Sequence, residues 1–204
     1  MANSDSERRE VEKRLEERFL RVFQGEVGRQ CKFALIAVND MEAAFKSGKS
    51  DSIDRFWYSV QAFLVCCGDI SKLLWPNEKY DARGIGLRKS LGVDDDSPLR
   101  PRDFRNHFEH FDERLEDWIT SSERHNIVDS SIFPKGLFVG IDEKDYLRNY
   151  HNDTGTVSFR GDEYHLVPLV KAIQDLLAKT GQADNRRRVR VPRLDSDKTE
   201  ERVP

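Results

Sequence analysis

An arginine, an amide and two histidines fall within a short run of this chain, at Arg105, Asn106, His107 and His110, with Phe108 and Glu109 completing it. These residue types suit work on a phosphodiester. Arginine stays cationic and offers two parallel N–H donors to phosphate oxygens, which stabilises charge as it builds in a transition state. Histidine titrates at about 6.5 when unperturbed, so it can take or deliver a proton near neutral pH. Attack of a ribose 2′-hydroxyl on its neighbouring phosphate, leaving a cyclic phosphate end, needs neither a metal nor a water. The run lies in Phe104 to Trp118, which reads as one amphipathic helix with Phe104, Phe108, Phe111, Leu115, Trp118 and Ile119 in its apolar sector. On an ideal helix Arg105 and His110 stand about 140° apart, whereas Asn106 and His110 share a face. Arg105 is assigned as phosphate clamp, Asn106 as orienting group and His110 as the proton-transfer residue. His107 and Glu109 are supporting positions, and His107 is the second candidate for the base. A plainer reading coexists: Arg105 and Glu109 form an ordinary i to i+4 surface pair worth about 0.2–0.5 kcal/mol.

Arginine, a polar residue, three further positions and then histidine resembles the signature of the HEPN family, all-α domains that include bacterial toxin and defence ribonucleases. The similarity covers roughly Phe19 to Ser121. It implies a metal-independent endoribonuclease of a toxin or defence system, acting on RNA, with a minimal nucleotidyltransferase as its antitoxin. It also implies a homodimer with a composite site at the interface, and two such helices about a two-fold axis would bring two arginines and two histidines together. No cofactor and no metal are expected. Glu109, with Asp112 and Glu113 just beyond His110, departs toward more acid than a phosphate site favours. The alternative is a non-catalytic HEPN-like helical module that binds a protein or ligand, its motif serving only dimer packing. A helical protein unrelated to HEPN is the third reading.

The surrounding pattern is mainly helical, and the expected fold is a HEPN-like up-and-down bundle with a small C-terminal β-hairpin or meander and a final helix. Helical spacing runs from Asp5 to about Phe45, with a bend or break expected at Gly25 and Gly28. Ser47 to Ser50 supplies a turn and an N-cap. Ile53, Phe56, Trp57, Val60, Phe63, Leu64, Cys67, Ile70, Leu73 and Leu74 then repeat by three and four until Pro76, which marks the central helix. A short helical piece is expected near Ile85 to Leu91. The helix carrying the motif is expected to open at Asp94 to Pro98 and to run to about Ser121. Ile132 to Ile141 reads as extended, and Tyr146 to His151 with Thr156 to Arg160 reads as a hairpin around Asn152 to Gly155. A further strand reaches Tyr164. Pro168 opens a last helix that stops at Gly181. The organisation is thus 1–125 bundle, 126–180 hairpin and helix packed on it, and 181–204 a charged, disordered tail.

Composition limits the partners. The 204 residues carry 35% charged and 37% hydrophobic side chains with a net charge of -3, so any RNA contact must be local rather than a general basic surface. Arg83, Arg88 and Lys89 ahead of the motif are candidate RNA-binding residues. The cluster Arg186, Arg187, Arg188, Arg190 and Arg193 in the tail reads first as solvated. Asp69, Ser71 and Lys72 read first as ordinary helix-terminus residues. Cys31, Cys66 and Cys67 have neither disulfide nor zinc spacing and are expected as reduced core residues. No apolar run spans a bilayer and the N-terminus is polar, so a cytoplasmic protein that engages no membrane is expected.

Overall fold

The computed structural model describes residues 2–123, 125–137, 140–181 and Pro192. Its helices are α1 (Ala2–Ser47), α2 (Ser52–Leu74), α3 (Asp81–Leu91), α4 (Asp103–Glu109), α5 (Phe111–Ser121) and α6 (Leu166–Lys179). Its strands are β1 (Ser131–Phe133), β2 (Asn149–His151), β3 (Thr156–Phe159) and β4 (Asp162–His165), in one sheet of that order. β1 runs parallel to β2, and the other neighbours are antiparallel. Among the described residues, no helix is long and apolar enough to cross a membrane.

Helix α1 passes through Gly25 and Gly28 without the expected break. Each glycine costs about 1 kcal/mol of helix propensity, but Val27 between them and Cys31, Ala34, Val38 and Met41 beyond them are buried, and packing of that face outweighs the local cost. Gly48, at φ +60°, closes the helix, and α2 starts after Asp51. Asp51 makes no side-chain cap. Its carboxylate instead accepts from Arg55 Nε at 2.5 Å, so the N-cap expected in Ser47 to Ser50 is replaced by a surface ion pair. Phe56, Trp57, Val60, Phe63, Leu64, Ile70 and Leu74 of α2 are buried, as their spacing requires.

Pro76 ends α2, and arginines take up its last carbonyls. Arg88 Nη1 donates to Leu74 O at 2.7 Å, and Arg102 donates to Trp75 O and, through Nε, to Ser71 Oγ at 3.1 Å. Gly84 of α3 sits so close that an added Cβ would lie 2.4 Å from Pro76 Cδ. The segment 92–102 is turns rather than the start of a helix, because Pro98 and Pro101 both lack the N–H a helix ladder needs. Arg102 thus ties the start of α4 to the end of α2.

Alternation along the strands gives the sheet two buried faces. Tyr150, Val157 and Phe159 turn to the helices, where the Tyr150 ring lies tilted 4.8 Å from Phe56 and Phe159 meets α4 and α5. Asn149, His151, Thr156 and Ser158 turn the other way and are also buried. One hydrophobic core therefore runs from Val27 of α1 through Phe159 to Leu177 of α6. Within 182–204 only Pro192 is described. It is buried, and its carbonyl accepts from Tyr150 Oη, while the rest of the tail and its arginine cluster lie outside the described residues.

Phe159 is fully buried and meets rings from both α4 and α5. Truncation to alanine is expected to destabilise the chain by about 3–5 kcal/mol in denaturant unfolding, with the helical circular dichroism of the folded state retained.

Candidate functional site

The motif lies at a corner, not within one helix. His110 has φ -108° and ψ 40°, which ends α4 and begins α5, so the single helix expected to open at Asp94 to Pro98 and run to about Ser121 is two helices that begin only at Asp103. The apolar periodicity crosses the corner unbroken. What fixes it is the sheet: His107 stacks on Phe159 at 5.2 Å and 19°, and Phe108 and Phe111 each lie 6.0 Å from the same ring. Further contacts hold α5 from the other end. Arg148 lies over the Phe111 ring at 4.6 Å, Trp118 Nε1 donates to the buried Asp145 at 3.0 Å, and Arg160 donates to Arg114 O and to Ser121 Oγ.

The corner sorts the motif residues. His110 is 53% exposed and its Nδ1 lies 3.2 Å from Glu113 Oε1, one turn on in α5. His107 is mostly covered and its Nε2 lies 3.1 Å from Asp162 Oδ2 of β4, so it serves the packing of α4 on the sheet. The two histidines therefore face different surroundings. Asn106 is half-buried and its side chain has no hydrogen bond among the described residues. Glu109 is exposed. Arg105 contributes backbone to α4, and its side chain lies outside the described residues. With a corner at His110, the angle of about 140° that an ideal helix would set between Arg105 and His110 no longer applies.

The basic segment ahead of the motif is divided in the same way. Arg88 is committed to the end of α2, pairing with Asp95 at 3.2 Å and standing over Trp75. Arg83 covers the Phe23 ring at 4.5 Å, tying α3 to α1, while Lys89 is exposed. Asp69 and Lys72 pair at 3.8 Å, and Ser71 donates to Arg100 O. Burial pushes the Cys31 thiol up to about 12 and Cys66 up to about 11, and Cys67 rises well above its ordinary value for the same reason. Thiols so disfavoured as thiolates are not nucleophiles. Among the described residues, no three or more His, Cys, Asp or Glu gather as metal ligands.

No protein-family model, curated protein or solved structure matches the chain.

Two cavities lie away from the motif residues, and sequence reasoning identified neither. An apolar cavity of about 320 Å³ is enclosed by Leu64, Cys67, Leu99, Tyr164 and Leu169, with Arg102 and His165 among its polar groups. A smaller one, about 170 Å³, opens on the polar face of the sheet beside His151, Asn149 and Ser158. There His151 Nε2 is 3.2 Å from Ser158 Oγ, and the Oδ1 of Asn149 is buried without a hydrogen-bond partner. Glu163 and Lys135 close the rim as a pair at 2.5 Å. The available signal was the period of two, which puts Asn149 and His151 on one face of a strand. The contribution of 133–146 to covering that face had no local signature.

Burial disfavours the imidazolium of His151 and lowers its pKa, against the nearby carboxylates of Glu163, Asp153 and Glu143 that favour the charge. Its neutral form is therefore the one the fold accepts. The unfolded chain binds this proton at about pH 6.5 and the folded chain only at lower pH, so stability is full above that value and falls as pH drops below it. Thermal unfolding is expected to show a midpoint that declines between pH 7.5 and pH 5.5, with a smaller decline in His151→Asn. Burial also works against the Asp129 carboxylate, but hydrogen bonds and charge from Arg148 outweigh it and hold the carboxyl low, so its own contribution changes only at far more acidic pH.

Proposed function

We propose that the α4–α5 corner acts on RNA as a HEPN-like, metal-independent endoribonuclease of a toxin or defence system. The observation that carries this reading is the state of His110: an accessible imidazole at a helix corner, with Glu113 placed to orient it. In this role Nδ1–H donates to Glu113, which leaves Nε2 as the basic nitrogen turned outward. Nε2 takes the proton of the ribose 2′-hydroxyl as the oxygen attacks phosphorus, and the 5′-oxygen departs with a proton returned to it. Arg105 neutralises the phosphate oxygens and Asn106 orients the phosphate by hydrogen bonding. His107, engaged with Phe159 and Asp162, positions α4 rather than moving a proton. Lys89 is the exposed cation of the candidate RNA-binding set. A homodimer and a nucleotidyltransferase antitoxin belong to this reading through the resemblance.

A second reading, a ligand-binding helical module without catalysis, is favoured by the apolar cavity at Leu64, Cys67 and Leu169. Its size and mostly apolar wall suit a small amphipathic molecule whose polar end meets Arg102 or His165.

The readings separate in two assays. Under the first, purified protein cleaves single-stranded RNA in EDTA and leaves cyclic phosphate ends, His110→Ala lowers the rate by about 10²–10⁴-fold, and Glu113→Gln lowers it less. Equal rates for wild type and His110→Ala would remove His110 from the chemistry. Under the second, an apolar fluorescent probe binds the folded chain and raises its thermal midpoint, and Leu169→Trp, which fills the cavity, weakens that binding at least about tenfold.

A further inference from the structure

The large apolar side chains of α1 do not all reach the core. Phe19, Val22, Phe33 and Ile36 are 58%, 67%, 49% and 55% exposed. At 100° per residue they share, with Glu26 and Arg29, a sector about 100° wide, while Val27, Cys31, Ala34, Val38 and Met41 occupy the opposite, buried side. Along the helix the six positions are spaced three, four, three, four and three, the spacing of a coiled-coil seam. The order of their types is apolar, apolar, acidic, basic, apolar, apolar. Reversed, the spacing is unchanged and acid meets base.

We infer that α1 is the interface of a homodimer, in which a second copy of this chain packs its own α1 antiparallel along this seam. A two-fold axis between residues 27 and 28 sets Phe19 against Ile36 of the second copy, Val22 against Phe33, and Glu26 against Arg29. Each contact occurs twice, as a closed symmetric interface demands. A parallel pairing in register is disfavoured, because it sets Glu26 on Glu26 and Arg29 on Arg29. Within one chain Arg29 already stands 3.7 Å from Glu26, so the paired helices hold an alternating ring of four charges. Gly25 adds no side chain beside these positions, and a groove lined by Arg21, Val22, Glu26, Arg29 and Leu73 of α2 flanks the charged middle of the seam. The surface apolar area is accounted for by a partner of the same shape and opposite charge order.

This inference goes beyond the ribonuclease reading and does not depend on it. It places the two-fold axis on α1 rather than at the α4–α5 corner. Analytical ultracentrifugation of the full-length chain tests it. The wild type is expected to sediment as a dimer of the 23.7 kDa chain. Glu26→Arg alone and Arg29→Glu alone are each expected to raise the dissociation constant at least about tenfold, and the double variant carrying both is expected to restore dimerisation. Because Arg29 is exposed and the half-buried Glu26 pairs with Arg29 and Gln30 of its own helix, circular dichroism and thermal midpoints should stay close to wild type, which separates loss of pairing from loss of fold. A monomeric wild type at 100-fold dilution series up to the highest soluble concentration would overturn the inference. So would single variants that dimerise as well as wild type, or a double variant no better than the singles. RNA cleavage is measured on the same samples, so an inactive dimer removes the ribonuclease reading alone, and an active monomer removes the α1 interface and the homodimer of the ribonuclease reading while leaving the chemistry at His110.

Discussion

The ring of Phe159 decides how the candidate site is presented. It is fully buried at the end of β3, and His107, Phe108 and Phe111 all come to it from the two sides of the corner at His110. A helix running straight from Asp103 to Ser121 would keep one uniform face toward its neighbours. The corner instead allows α4 to pack on α2 and the sheet while α5 follows Arg148, Asp145 and Arg160. His110 sits at the change of direction and is left in solvent, while His107, three residues earlier, is drawn into the packing. The sheet is small, but it is not an ornament on the bundle. It sets which histidine is exposed and which is packed.

The same elements show what local sequence can and cannot carry. The period of three and four in α2 was legible because its buried residues touch neighbours along their whole length, and Pro76 marks its end chemically. The hairpin was legible from Asn152 to Gly155, where Gly155 takes φ +71° in the turn. The corner at His110 was not, since Phe108, Phe111 and Leu115 keep helical spacing across it and the group that fixes it lies about fifty residues further along the chain. The parallel pairing of β1 with β2 is equally non-local. For α1 the apolar pattern was visible, but pattern alone does not divide Phe33 and Ile36 from Ala34 and Met41. Burial does that, and it turns the larger side chains outward.

Electrostatics in this molecule are mostly spent locally. Arginines that a sequence scan would reserve for a polyanion cap the end of α2, cover aromatic rings or close the sheet onto α5. Such contacts offset the desolvation of half-buried guanidinium groups and commit Arg83, Arg88, Arg102 and Arg160 to holding the fold together. An RNA substrate would have to be held by few contacts at the corner itself, and the carboxylates of Asp112 and Glu113 there raise the demand on Arg105.

Helix α1 poses a separate constraint. It has 46 residues against 23 in α2, about 69 Å against about 34 Å at 1.5 Å per residue, so its antiparallel neighbour can cover only half of it. α3 adds contacts at Leu20, Phe23 and Gln24, and α6 also packs on α1. An isolated helical overhang is marginal in water, because propensity alone barely offsets the entropy of ordering the backbone. The proposed antiparallel copy answers that shortfall: with its axis between residues 27 and 28, its residues 36–47 run beside residues 8–19 of the first chain. The length of α1 and the order of charges at its middle then have one physical cause, the burial of a seam that a single chain cannot close on itself.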